Sequence, residues 1–171
     1  MKKKKSIRIA IITESLEGSA SIIFPKLCTQ IKENLVGVIH VKSIPKNKKN
    51  HYIRKLKKIY QIGLFGALIG IYIRKWFSKD LKKHISIQPL DFLCENLNVP
   101  FFKTKGLNSN QTQDKLSSLN LDLAISLGCS YISSHIFNIP KHGMINVHHE
   151  LLPEFQNAQS IIWQLYNKSK I

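Results

Sequence analysis

Strand-length apolar runs alternate along the chain with segments whose apolar residues recur every three or four positions. Such alternation predicts parallel strands joined by helices, in an α/β fold built on a mostly parallel, doubly wound sheet. The predicted strands are residues 7–13, 35–41, 99–104, 121–127 and 144–147. The predicted helices are residues 21–33, 90–97, 111–119, 131–137 and 158–167, with a short extended piece at 84–89.

The first strand follows four lysines, at positions 2–5, and ends at Glu14. Its apolar run is too short for a secretory signal peptide, so we predict that it is a central strand of the sheet. Asn110 is expected to cap the helix that follows it. In the helix at residues 90–97, Phe92 and Leu93 are expected to point inward.

The sequence of residues 42–83 predicts a basic helical insertion between strands of the sheet. Residues 42–58 are rich in lysine and include Arg54. Residues 59–73 form an uncharged apolar stretch, which is followed by Arg74-Lys75-Trp76-Phe77. The apolar stretch is shorter than the roughly 20 residues of a transmembrane helix. Three interpretations stay open: a helix packed on the sheet or on a subunit partner, as in a homodimer; a cationic face for a polyanion such as a nucleotide-sugar or tRNA; and a membrane-surface element.

Composition narrows the function classes. The formal charge is +16, but only three of the 26 basic residues are arginines, the type best suited to bidentate phosphate contacts, which weakens a nucleic-acid interpretation. Three cysteines without paired spacing indicate reduced thiols in a cytoplasmic protein. Histidines and Glu150 lack the spacing of a zinc site, so no metal is expected. The residues weighed for a metal site are His142, His148, His149 and Glu150.

Polar side chains follow the last predicted strand. Asn146 and His148 are two residues apart, so both project from one side of an extended chain, and His149 projects from the other. The carboxyl ends of strands are where open α/β sheets bind ligands. An amide there can donate to a developing oxyanion, and an imidazole can act as acid or base near neutral pH.

The segment Asn146-Val147-His148-His149-Glu150-Leu151-Leu152-Pro153 resembles the signature of the formyltransferase family. Residues 121–128 and 139–143 resemble the strand, glycine and connection that precede this signature in the family. The resemblance implies a Rossmann-like formyltransferase fold, 10-formyltetrahydrofolate as formyl donor, and Asn146 and His148 as the catalytic pair. The donor would contact the residues that match the family's folate pocket, which are Phe92, Gly128, Leu151, Leu152 and Pro153.

The resemblance also implies a primary amine as acceptor. The loop departs from the family at His149-Glu150, where Pro-Ser is frequent, and at Gln156-Asn157, where a basic residue and glycine are frequent. These departures favour a nucleotide-linked amino sugar over methionyl-tRNA. The rival interpretations are a non-catalytic binding domain on the same scaffold and an amide or acyl hydrolase that uses His148 with water.

The family's third catalytic group, an aspartate, lies a few tens of residues downstream of the histidine. We therefore expect residues 1–171 to form a single formyltransferase-like domain that is incomplete at its carboxyl end. The chain alone is expected to be inactive or nearly so, because the histidine would lack the carboxylate that orients it.

Overall fold

Five parallel strands form one sheet in a computed structural model, which describes residues 6–44, 48–84 and 87–147. The order across the sheet is β3-β2-β1-β4-β5, and every pairing is parallel. The predicted α/β class and the central position of the first strand are confirmed. The strands are β1 (Ile9–Thr13), β2 (Leu35–Lys42), β3 (Phe101–Lys105), β4 (Leu123–Leu127) and β5 (Met144–Val147).

Helices connect the strands, and the helices predicted at residues 21–33, 90–97, 111–119 and 131–137 are present with bounds shifted by up to three residues. They are α1 (Ser19–Ile31), α2 (Lys48–His84), α3 (Leu90–Asn96), α4 (Asn110–Ser118) and α5 (Ser134–Phe137). The extended piece predicted at residues 84–89 is not a strand where the structure describes it, because His84 ends α2 and residues 87–89 belong to no strand.

Both faces of the sheet are covered, as expected for a parallel sheet. Side chains alternate between the two faces, so Ile11 and Ile12 enter different cores. One core lies between the sheet and helices α1 and α3 and includes Phe24, Cys28, Val38, Leu90, Cys94 and Leu127. The other lies under α4 and α5 and includes Ile39, Val41, Leu116, Ala124 and Ile136.

The N-cap of α4 is Ser109 rather than the predicted Asn110, which is the first helical residue. The Ser109 hydroxyl accepts a hydrogen bond from the Thr112 backbone N–H at 3.4 Å and donates one to the Lys105 carbonyl at 2.6 Å. Ser109 has an extended backbone with φ −95° and ψ 159°, the conformation of a residue preceding a helix.

The prediction that Phe92 points inward is wrong. Its side chain is 46% exposed, whereas Leu93 packs against the core beneath α1 and α3. The buried side of α3 is instead set by Leu90 and Cys94, which are four residues apart and therefore lie on one face of the helix.

The basic insertion is helical, as predicted, but its described apolar side chains do not pack on the sheet. Leu64 is 71% exposed, Phe65 77% and Leu68 58%. The interpretation that places this helix on the sheet is therefore wrong. Among the helices that the structure describes, none is both long and apolar enough to cross a membrane.

Candidate active site

The carboxyl ends of the parallel strands open into a cavity of about 490 Å³. Its walls come from the segments that follow β1, β2, β3 and β4, the edge at which open α/β sheets bind ligands. The volume lies within the range of about 300–1,000 Å³ that is usual for small-molecule sites. The lining residues are Glu14, Ser43, Ile44, Gly106, Leu107, Asn108, Ser109, Ser130 and Tyr131.

Glu14 joins two walls of this cavity. It directly follows β1, and its carboxylate accepts a hydrogen bond of 2.6 Å from the backbone N–H of Ser130, in the loop after β4. A carboxylate that accepts from a backbone N–H forms one of the stronger hydrogen bonds in proteins. The bond therefore fixes the position of the β4 loop relative to the central strand.

Asn108 joins the loop after β3 to the same β4 loop. Its side-chain nitrogen donates to the Tyr131 carbonyl at 2.9 Å. Its side-chain oxygen accepts from the backbone N–H and the hydroxyl of Ser133, at 2.8 and 2.7 Å. Gly106, with φ +75°, provides the left-handed turn that brings the loop here. These three bonds hold the cavity open between two otherwise separate loops.

Asn146 lies at the penultimate position of β5, near the carboxyl edge, as predicted. It pairs in register with Ser126 of β4, which in turn pairs with Ile12 of β1. Asn146 is exposed, whereas Ser126 is buried. The Ser126 hydroxyl has no hydrogen-bond partner among the described residues, so a polar atom lies beside Asn146 with an unused capacity to hydrogen-bond.

Gly128 directly follows β4 and has φ +64°, a left-handed conformation that favours glycine. It starts the loop that continues to Ser130 and Tyr131 in the cavity wall. Phe92, the other predicted folate contact in the described part of the chain, lies on α3. Neither Phe92 nor Gly128 nor Asn146 is among the residues that line the cavity.

The remaining predicted site residues lie outside the described residues. They are His148, Leu151, Leu152 and Pro153. The pairing of Asn146 with His148 across one face of the chain therefore stays a prediction. Residues 158–167, predicted to form a helix after the loop, also lie outside the described part of the chain.

The two thiols with shifted pKa values are poorly suited to nucleophilic chemistry at neutral pH. Burial raises the pKa of Cys129 to about 11 and that of Cys94 to about 12. The Cys129 thiol donates to the Ile12 carbonyl at 3.4 Å, close to the cavity. Within residues 6–44, 48–84 and 87–147, no three His, Cys, Asp or Glu side chains are grouped so that they could hold a metal ion.

His40 belongs to a second polar group, near the carboxyl end of β2. Its ring stacks on Phe101 at 6.3 Å between centroids, and the neighbouring Lys103 pairs with Asp91 at 3.2 Å. Burial lowers the pKa of His40, and the positive charge of Lys103 adds to this effect, although the backbone of Glu14 opposes it.

We expect the free energy of unfolding to fall as the pH decreases below about 6.5, the ordinary pKa of an unfolded histidine. Between that value and the lowered folded pKa of His40, the unfolded chain binds more protons than the folded one, so acid favours unfolding. Urea unfolding of the wild type and His40→Gln at a series of pH values measures this effect. The variant should show a shallower pH dependence; an unchanged slope would mean that His40 does not titrate differently on folding.

Comparison with known proteins decides the family. Residues 24–170 match the family model described as formyl transferase, which is well over half of the chain. The chain belongs to the formyl transferase family. Four of the five strands, β2 to β5, lie within the matched residues, and β5 carries Asn146.

Several relatives of this chain are named methionyl-tRNA formyltransferase. The protein from Clostridioides difficile (strain 630) is 30% identical over 101 residues, covering 58% of this chain and 33% of the relative. That from Thermodesulfovibrio yellowstonii is 38% identical over 74 residues, covering 43% and 24%. That from Buchnera aphidicola is 37% identical over 79 residues, covering 45% and 25%. The chain thus matches a third or less of the length of these relatives.

Proposed function

We propose that the protein transfers a formyl group from 10-formyltetrahydrofolate to a primary amine, with Asn146 and His148 as its catalytic residues. Family membership supports the reaction class. The observation that carries the assignment of the site is the position of Asn146, exposed at the carboxyl edge of β5 and in register with the buried Ser126.

Asn146 would stabilise the charge that develops during transfer. When the amine nitrogen attacks the formyl carbon, the carbonyl electrons move onto oxygen, and the Asn146 amide donates a hydrogen bond to that oxyanion. A hydrogen-bond donor that is fixed on a strand needs little reorganisation energy during the reaction, and for this reason such groups contribute strongly to catalysis. The strand pairing of Asn146 with Ser126 supplies this rigidity.

His148 would handle the proton. The attacking amine must lose a proton, and the carrier nitrogen must gain one as its bond to the formyl carbon breaks, so one imidazole can serve both transfers. An extended chain continuing past Val147 would place His148 on the same side as Asn146. This assignment predicts that the pH dependence of transfer follows a group titrating near neutrality.

The cavity at the carboxyl edge is suited to an organic donor. Its volume of about 490 Å³ and its mixture of Leu107, Ile44 and Tyr131 with polar groups match the usual character of such sites. The donor, when bound, supplies the formyl carbon and leaves as tetrahydrofolate. Gly128 and the loop after β4 would contact it from one side. Leu151, Leu152 and Pro153 would complete the pocket, as the family resemblance implies.

For the acceptor, we propose methionyl-tRNA ahead of the nucleotide-linked amino sugar that the loop sequence favours. The three relatives described above are all named for the tRNA substrate, and this comparison outweighs the two loop departures. The formal charge of +16 is also suitable for a polyanionic acceptor. The amino sugar stays the second candidate, on the strength of His149-Glu150 and Gln156-Asn157.

Binding of tetrahydrofolate to the chain of residues 1–171 tests the site without requiring turnover. We expect saturable shifts of backbone amide resonances at Gly128, Ser130 and Asn146 in a ¹⁵N-labelled sample. Resonances at the opposite, amino-terminal edge of the sheet, around Ile9 and Leu35, should not move and serve as the internal control. Shifts confined to that opposite edge, or none at saturating ligand, would reject this location for the donor.

A further inference from the structure

The first half of α2 is a basic amphipathic helix with an uncovered apolar face. Gly63, with φ +74° and ψ 158°, interrupts the helix and separates Lys48–Ile62 from Leu64–His84. The apolar residues of the first half recur at i, i+1, i+4, i+7 and i+8, which places them on one stripe. They are Tyr52, Ile53, Leu56, Ile59 and Tyr60, with exposures of 63, 49, 65, 38 and 90%.

The opposite side of this half is cationic. Arg54 lies opposite the apolar stripe, Lys55 and Lys57 lie along its two edges, and all three are exposed. No Asp or Glu occurs between Glu33 and Asp80, so nothing in that segment neutralises them. A helix with lysines on one face and exposed bulky apolar groups on the other has the pattern of an element that lies on an anionic membrane surface.

The second half begins with a short segment that is apolar on every side. Between Leu64 and Ile73 the large side chains are all well exposed, and Trp76 follows at 59% exposure beside the cationic Lys75. Ten helical residues rise only about 15 Å, half of a bilayer's hydrocarbon thickness. The segment can therefore enter one leaflet without crossing, and Trp76 with Lys75 would mark the level of the headgroups. The exposed residues are Leu64, Phe65, Leu68, Ile69, Ile71, Tyr72 and Ile73.

We propose that α2 binds the surface of anionic phospholipid membranes, with Tyr52, Leu56 and the segment Leu64–Ile73 inserted among the lipids and the flanking cations on the headgroups. An RNA partner fits this helix less well, because nucleic-acid sites are polar and strongly charged, whereas residues 59–73 contain no charge. The proposal is independent of formyl transfer, since α2 carries none of the residues placed in the active site.

Vesicle binding by the full chain of residues 1–171 tests the proposal. We expect co-sedimentation with vesicles of phosphatidylcholine and phosphatidylglycerol in equal parts, weakened by salt, and at least tenfold weaker binding to phosphatidylcholine alone. In a Trp163→Phe background, Trp76 fluorescence should shift to shorter wavelength on binding. Leu64→Glu with Leu68→Glu should abolish the binding, and Lys55→Glu with Lys57→Glu should weaken it at least tenfold.

Two control variants distinguish lipid insertion by α2 from general effects of net charge and surface hydropathy. Ile7→Glu with Ile22→Glu places two acids at residues that are 53 and 54% exposed elsewhere and should leave vesicle binding unchanged. Lys26→Glu with Lys32→Glu makes the same change of net charge at exposed lysines outside α2 and should reduce binding less than tenfold. Far-ultraviolet circular dichroism of each variant checks that the fold persists.

Three outcomes would overturn the proposal. One is the absence of binding to the anionic vesicles. Another is RNA binding that requires Lys55 and Lys57 but not Leu64 and Leu68, in a protein that does not bind lipid vesicles. That result would make α2 a binding surface for polyanions. The last is that the wild type does not bind vesicles and that Leu64→Glu with Leu68→Glu changes the oligomeric state, measured by light scattering. That result would make the face an interface between copies of the chain.

Discussion

Replacing Asn146 by alanine is expected to lower the rate of formyl transfer by about 10²–10³-fold, the usual cost of removing one oxyanion donor. Because the family resemblance implies a catalytic aspartate downstream of His148, the assay uses residues 1–171 fused to the carboxyl-terminal part of the Clostridioides difficile relative. The loss should appear in both kcat and kcat/KM, since the amide acts on the transition state more than on the bound substrates. Initial rates with formyl donor and methionyl-tRNA measure it.

Ile145 supplies the matched control for this experiment. It is the adjacent residue of β5, 51% exposed and on the other face of the strand. Ile145→Ala should retain the wild-type rate within a few-fold. Equal rates for Asn146→Ala and wild type would remove Asn146 from the catalytic site.

The same fusion protein distinguishes the competing functions. His148→Ala should lose activity to a similar degree and should also lose the dependence on a group that titrates near neutral pH. Transfer to a nucleotide-linked amino sugar in preference to methionyl-tRNA would favour the second acceptor. Donor consumption without any acceptor would indicate a hydrolase. A fusion that binds tetrahydrofolate but transfers to neither amine would favour a binding domain.

The strands could be predicted to within two residues because most of them are short apolar runs. Residues 144–147 are bounded by Gly143, whose φ of +78° favours glycine, and the structure has β5 at those four residues. Helix ends were harder, because Ser109 and Asn110 are both good caps and only the tertiary path of the chain selects between them.

Phe92 shows how a pattern can be misread. Leu90, Leu93, Cys94 and Leu97 follow i, i+3, i+4 and i+7, and all four contribute to the core, so this stripe defines the inner face of α3 and leaves Phe92 outside it. Phe92 is large and hydrophobic, but its position in the helical period determines whether it is buried. The sequence contained this signal.

The cavity walls could not be predicted in the same way. Glu14 and Ser130 are 116 positions apart, and they meet only because β1 and β4 are neighbours in the sheet. Asn108 similarly reaches Ser133 across 25 positions. No local motif marks these residues, because their roles arise from the strand order. The exposure of α2 was also unpredictable, since hydropathy indicates which side chains avoid water but not which surface covers them.

Replacing Phe24 by alanine is expected to lower the free energy of unfolding by about 3–5 kcal/mol, the usual cost for a buried phenylalanine. Its side chain is fully buried in the core formed by α1, α3 and the sheet. The change removes the ring's apolar contacts and leaves a cavity that the rigid strands beneath can fill only in part. A domain of this size has about 5–15 kcal/mol in total, so the variant should unfold at clearly lower denaturant concentration. Urea unfolding followed by circular dichroism gives the difference.

Ile22 on the same helix is the control for this substitution. It is 54% exposed, so Ile22→Ala removes little buried area and should change the free energy of unfolding by no more than about 0.5 kcal/mol. Alanine is the better helix former at both positions, so helix propensity cannot account for a loss at Phe24. Similar midpoints for the two variants would show that α1 does not present Phe24 to the sheet. Because α1 links β1 to β2, that result would also contradict the placement of the central strands on which the cavity depends.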